Sequence, residues 1–176
     1  MDKSLKKVAS TYGLYLGAIL SVMAILAFTK NLDLFLKPWF GLIIYALCLL
    51  AGFVSLIKIK ISTGGYLTFR HSFASYFIAV LVGITMFTLV TFILFNYVDA
   101  DASNYLKKMS IDKNIEVLKS IGTSPEKLTE TRTNLESENL FSLGNAIQTL
   151  IITYIIPLSI IGLLVAATFK KNPPQN

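Results

Sequence analysis

Charge is scarce in this chain, and so are the residues that most chemistry needs. There is one cysteine and one histidine. Cys48 stands alone inside an apolar run, which excludes an intrachain disulfide and leaves no partner for a Cys-ligated metal. His71 follows Arg70 at the edge of another apolar run, where a lone imidazole is read as an interfacial group rather than a ligand or base. No Walker loop, dinucleotide fingerprint or nucleophile motif occurs, so neither a cofactor nor a metal is expected. The five prolines and ten glycines are ordinary in number, and no period marks a repeat.

What remains is grease. Hydrophobic residues make up 54% and charged residues 15% of the 176, with a mean hydropathy of +0.64. One soluble core of this size could not hide so much apolar surface, so the solvent is read as a bilayer. The net charge of +6 sits beside apolar runs rather than in a patch, and nucleic acid is not expected as a partner.

An ionised side chain at mid-bilayer costs roughly 2.5–3.5 kcal/mol, whereas each Leu, Ile, Phe or Val returns about 0.3–0.6 kcal/mol. Charge-free stretches therefore define the spans: residues 8–28, 38–57, 73–98 and 144–169, the last unbroken from Ala146 to Phe169. Each reaches the roughly 20 residues a helix needs to cross about 30 Å of hydrocarbon. The expected fold is an all-α integral membrane protein with four transmembrane helices. The first span is not read as a signal peptide, because it outruns a usual apolar core and no small-x-small site follows Phe28. Tyr12, Trp39, Tyr66 and Tyr97 lie near span ends, where amphipathic rings suit the interface.

Orientation follows from the cations. With the N-terminus inside, the cytoplasm receives Lys3, Lys6, Lys7, Lys58, Lys60, Arg70, Lys170 and Lys171 against Asp2 alone. Every other acid falls on the far side and outnumbers the cations there, which is the asymmetry of the positive-inside rule. The expected arrangement is N-in/C-in, in a bacterial inner membrane. Residues 1–7 form a cytoplasmic N-terminus, 58–72 a cytoplasmic loop and 170–176 a cytoplasmic tail, with Tyr66 to Phe73 lying along the inner interface. The tail from Asn172 is expected to fray.

Residues 99–143 form the one sizeable extramembrane segment, too small to hold a core alone. Leu106, Met109, Ile115, Leu118 and Ile121 fall on one helical face, Gly122 is a stop, and Ser124 before Pro125 reads as a new N-cap. A second helix would carry Leu128, Thr131 and Leu135 and end near Asn139. The pair is expected to form a periplasmic helical hairpin between the third and fourth spans.

Ala9, Gly13, Gly17 and Ser21 place a small residue at every fourth position of the first span. In lipid, close backbone approach along such a stripe is a main source of helix packing. Packing within the bundle is the favoured reading, and docking of another subunit or self-association is the alternative. Gly162 and Ala166 repeat the spacing. Thr85, Thr88 and Thr91 could line a polar path gated by the kink at Pro157, although threonines satisfy themselves on the preceding turn and prolines also kink structural helices. No Asp, Glu, Lys, Arg or His lies inside a span, which argues against proton-coupled transport. Asp99 and Asp101 could hold a cation or act as acid and base; the favoured role is at a helix boundary, with Asp101 or Ser103 as the N-cap.

Tyr12-Gly13 with Gly17, then Gly64-Gly65-Tyr66-Leu67-Thr68-Phe69 with Phe73, then Phe95-Asn96-Tyr97-Val98-Asp99, form an ordered set over nearly the whole chain. In this the sequence resembles the four-span membrane family DUF4199, with Ala100 where a proline is expected after the mouth aspartate. The resemblance implies a Bacteroidetes inner-membrane setting, no catalytic residues, and a polyprenol-phosphate glycosyltransferase as a neighbour. The expected function is thus a non-enzymatic accessory or assembly subunit of an inner-membrane complex. Its partners would be membrane lipids and either another membrane protein or itself. The alternative is a small translocator of a lipid-linked substrate, and an enzyme using Asp99 and Asp101 comes third.

Overall fold

A computed structural model describes residues 3–171, so the expected fraying of the tail from Asn172 lies outside the described residues. Four helical segments are long and apolar enough to cross a membrane: Leu5–Lys30, Pro38–Ser62, Phe69–Val98 and Leu143–Phe169. Their outward faces carry Leu, Ile and Val that no neighbour covers, among them Leu14, Leu42, Leu50, Leu89 and Leu164. A surface of this kind is compatible with lipid and not with water, and the chain is a multi-pass membrane protein.

Helix α1 (Lys3–Lys30) leads into a short 3-10 turn, Leu32–Leu36, whose second amide is fixed by the Asn31 side chain accepting from Asp33 N–H at 3.0 Å. Pro38 then opens α2 (Pro38–Ser62), where its missing N–H costs nothing. This helix runs five residues past the expected end at Ile57, because Lys58 and Lys60 extend their stems to polar surroundings while Ile59 stays buried. The cytoplasmic loop expected over 58–72 shrinks accordingly to residues 63–68, where Gly64 and Gly65 take positive φ of 69° and 88°.

Helix α3 (Phe69–Ile93) starts before the predicted Phe73, since Thr68 accepts from His71 N–H and caps it. Tyr66 to Phe73 is not a separate element ahead of the third span. Leu67 instead pairs by two backbone hydrogen bonds of 2.8 Å with Lys171, and Phe69 onward is helix. A π-helical turn, Leu94–Val98, completes the third span. Helices α4 (Ala100–Ser120) and α5 (Pro125–Ser137) make the expected hairpin, and Gly122 turns between them at φ 81°. The predicted apolar face of α4 holds at buried Leu106 and half-buried Met109, Ile115 and Leu118 but fails at Ile121, which is 71% exposed; Ala102 and Ile111 are buried as well. Leu128, Thr131 and Leu135 are the half-buried positions of α5.

The fourth span is one continuous rod in three parts. Helix α6 (Leu143–Gln148) passes into a π-helical stretch, Thr149–Ile155, and then into α7 (Ile156–Phe169). Pro157 sits at the join, in the first turn of α7, where π-helical bonding gives way to α-helical.

Helix α3 is central, packing along α1 and against α2 and α7. Tyr76 is its keystone. The ring is fully buried and lies between Gly52 of α2 and Gly162 of α7, so close that a Cβ on either glycine would overlap it. A polar bond crosses nearby, Ser55 Oγ donating to Ser75 O at 3.0 Å. At the terminal end, Lys60 Nζ donates to Phe169 O at 3.0 Å, placing a cation on the carbonyl end of α7.

Candidate functional site

Aromatic residues at the span ends build a cap under the hairpin. Phe28, Phe35, Phe95 and Phe141 meet around Phe95, with ring centroids 5.3, 5.2 and 4.6 Å from it. Ala102 and Leu106 of α4 pack into the same cluster. Asp99 sets the course of α4 over this cap, its carboxylate accepting from Asp101 N–H at 2.9 Å and Ala102 N–H at 3.1 Å. Asn96 ties the returning chain, donating from Nδ2 to Phe92 O and Phe141 O at 2.9 Å.

Below the cap lies a cavity of about 490 Å³. Its walls come from Phe40, Gly41 and Ile44 of α2, Phe87, Thr88, Thr91 and Phe92 of α3, and Asn145, Thr149 and Tyr154 of the fourth span, with Leu106 and Ser110 of α4 above. Phe87 and Tyr154 meet edge to face at 6.3 Å on its deep side. At about 1.5 Å rise per residue, Tyr154 lies roughly 17 Å from the start of the fourth span, near mid-bilayer. The cavity thus occupies the half of the membrane on the hairpin side.

Tyr45, next to the wall residue Ile44, reaches from α2 to the π-helical stretch. Its hydroxyl donates to Thr153 O, and its ring lies 5.6 Å from that of Tyr154. Thr153 is four residues before Pro157, the place where an α-helix would use the N–H that proline lacks. Tyr45 supplies the donor instead, from another span. Sequence reasoning missed this residue; the signal was the orphan carbonyl that any mid-span proline creates.

The predicted site residues divide among several places. Ala9, Gly13 and Gly17 are buried within the chain rather than presented outward. A Cβ on Gly13 would stand 2.7 Å from Ala79 O and Val82 Cβ, and one on Gly17 would stand 2.7 Å from Met86 Sδ. The stripe is filled by α3, so its small residues are not open to a second subunit. Ser21 continues it, with a buried Oγ that has no partner among the described residues. Thr88 and Thr91 reach the cavity wall, while Thr85 and Pro157 do not. Both wall hydroxyls are turned back on their own helix, to Ile84 O at 2.9 Å and Phe87 O at 2.8 Å, so no continuous polar path forms along the three threonines. The N-cap is Asp99, not Asp101 or Ser103. Among the described residues no group of three His, Cys, Asp or Glu could hold a metal ion.

Outside the membrane, Tyr105 donates to Asp33 Oδ1 at 3.0 Å, joining α4 to the 3-10 turn. That hydrogen bond and the aspartate's charge raise the phenol above its ordinary pKa. Arg132 bridges Asp112 and Glu136, both at 3.0 Å. Its hydrogen bond to Glu136, followed by the charge of Asp112, lifts the guanidinium further above its usual value.

No curated protein and no solved structure matches the chain. A family described as Protein of unknown function (DUF4199) matches residues 11–171, from within α1 to the lysine that pairs with Leu67. The match takes in all four spans, the hairpin and the cavity walls, and the chain belongs to the DUF4199 family.

Proposed function

We propose that the protein is a non-enzymatic accessory or assembly subunit of a bacterial inner-membrane complex, with both termini cytoplasmic and the α4–α5 hairpin periplasmic. One observation carries the reading: the hairpin is stiffened yet leaves apolar surface unused. Arg132 and the Lys107 Nζ to Glu136 O bond of 2.6 Å clamp α5 to α4. Val117 and Ile121 remain 61% and 71% exposed at its far end, and α5 buries no residue. Apolar side chains held out on a braced arm suit a protein partner. A membrane glycosyltransferase acting on polyprenol phosphate is the candidate partner.

Extraction in mild detergent followed by mass spectrometry should recover a stoichiometric membrane partner, and Val117→Asp with Ile121→Asp should release it. A lone, folded monomer from the native membrane refutes the proposal. The orientation has its own test. Cys48 is fully buried, so Ser124→Cys should react with an impermeant maleimide on intact cells and Ser62→Cys only after permeabilisation; the reverse pattern inverts the map.

The translocator reading rests on Thr88 and Thr91 in the cavity wall. Against it stand Phe87 and Tyr154, which close the deep side. Transport of a polyprenol-linked sugar into vesicles no faster than in protein-free vesicles would discard it.

A further inference from the structure

We propose that the cavity under the hairpin holds one acyl chain of a bilayer glycerophospholipid, drawn from the leaflet on the hairpin side. This site is independent of the partner reading above and of which face is periplasmic. Its volume, about 490 Å³, falls in the roughly 300–1,000 Å³ range of pockets that enclose a small ligand.

Three observations choose the occupant. The first is the surrounding medium: the deep walls, Ile44 of α2, Phe87 of α3 and Tyr154 of the fourth span, all belong to membrane-spanning segments, so hydrocarbon lies outside them. Lipid tails are what lie beside such walls. The second is the order of polarity along the cavity. Ser110, Asn145 and Thr149 belong to the hairpin and to the first turns of the fourth span, at interfacial depth. Ile44, Phe87 and Tyr154 lie deeper, so the groups able to meet a lipid ester stand at the hairpin end, among Phe95, Leu106 and Phe141, and the tail would run toward the deep rings. The third is Gly41, at whose position an added Cβ would meet nothing within 4 Å. Open space beside an α2 backbone that lines the cavity gives a chain a smooth way in.

The packing drive is modest, because the tail exchanges one apolar setting for another. Selectivity comes from the closer fit and the ester contacts.

The test uses the full chain in vesicles of phosphatidylethanolamine and phosphatidylglycerol containing a trace of phosphatidylethanolamine with a photoreactive diazirine on one acyl chain. A diazirine near the carbonyl should mark the peptide carrying Asn145 and Thr149. One at mid-chain should mark those carrying Phe87 and Tyr154. Gly41→Phe, placed where a Cβ meets nothing within 4 Å, should lower these adducts about tenfold, equivalent to roughly 1.4 kcal/mol of occupancy. It should leave adducts at lipid-facing Leu50 and Leu164 unchanged. Cavity peptides marked no more than Leu50 or Leu164 in the wild-type protein overturn the proposal, with no appeal to any variant. Displacement of the label by a trace of polyprenyl phosphate also overturns it, in favour of an isoprenoid occupant.

Discussion

Removing the Tyr45 hydroxyl isolates the cost of an unanswered carbonyl inside a membrane. Tyr45→Phe keeps the ring against Tyr154 but takes the donor from Thr153 O. Hydrogen bonds between membrane helices contribute about 0.6 kcal/mol on average and at most about 1.7 kcal/mol. The average is low because a released group commonly finds another partner. The i+4 donor that Thr153 O would use in an α-helix is missing at Pro157, so the cost should sit toward the upper bound, about 1–1.7 kcal/mol. With about 2–4 °C per kcal/mol for a chain of this length, the midpoint should fall by about 2–7 °C. Circular dichroism melts in one detergent, with reversibility checked, provide the readout. Pro157→Ala restores the intrahelical donor, and in that background Tyr45→Phe should cost about 0.6 kcal/mol or less. Equal losses in the two backgrounds would refute the link between the proline and the tyrosine.

Three other perturbations test the packing and the surface. Gly162→Ala sets a Cβ 2.6 Å from a Tyr76 ring that Gly52 blocks on its other face. Overpacking of about 1–3 kcal/mol, less the roughly 0.4–1 kcal/mol an alanine gains through the unfolded chain, should lower the melting midpoint, while Gly41→Ala should not. Gly13→Ile should reduce detergent stability by a similar or larger amount, because its Cβ meets the Ala79 carbonyl oxygen rather than a movable side chain. Loss of a partner with no change in stability would return the stripe to an external interface. The raised pKa of Tyr105 makes its bond to Asp33 a low-pH contribution: full below the unfolded tyrosine value of about 10, and lost as pH climbs through the higher folded value. Tyr105→Phe should flatten that part of the stability profile, and an unchanged alkaline limb counts against the bond.

The spans were legible because hydrocarbon judges a segment by composition and length, without regard to its neighbours. The hairpin turn was legible for a local reason as well: Gly122 adopts positive φ, and Ser124 precedes a proline that must open a helix. Local reasoning misplaced the ends where side chains reach beyond their own turn. Lys58 and Lys60 kept α2 helical past Ile57, and Asp99, not Asp101, found the first free amides of α4. The cavity was illegible because it is a property of which spans stand side by side. Thr88 and Thr91 face it while Thr85, three residues earlier, does not, and no spacing rule separates them. The small-residue stripe could be seen in sequence, but only the position of α3 shows what it receives.

The fourth span is fastened unevenly. Near the termini it is held by Tyr76 against Gly162, by Lys60 on Phe169 O, and by the Leu67–Lys171 pair. Near the hairpin, the bond from Tyr45 and the tie at Phe141 do most of the holding. The segment therefore behaves as a door leaf hung at the edge that bears Phe169, with a lighter latch of two bonds at the opposite edge. Deuterium should enter the amides of Leu143–Tyr154 well before those of α7, and a lipid tail passing the latch needs only that upper edge to swing.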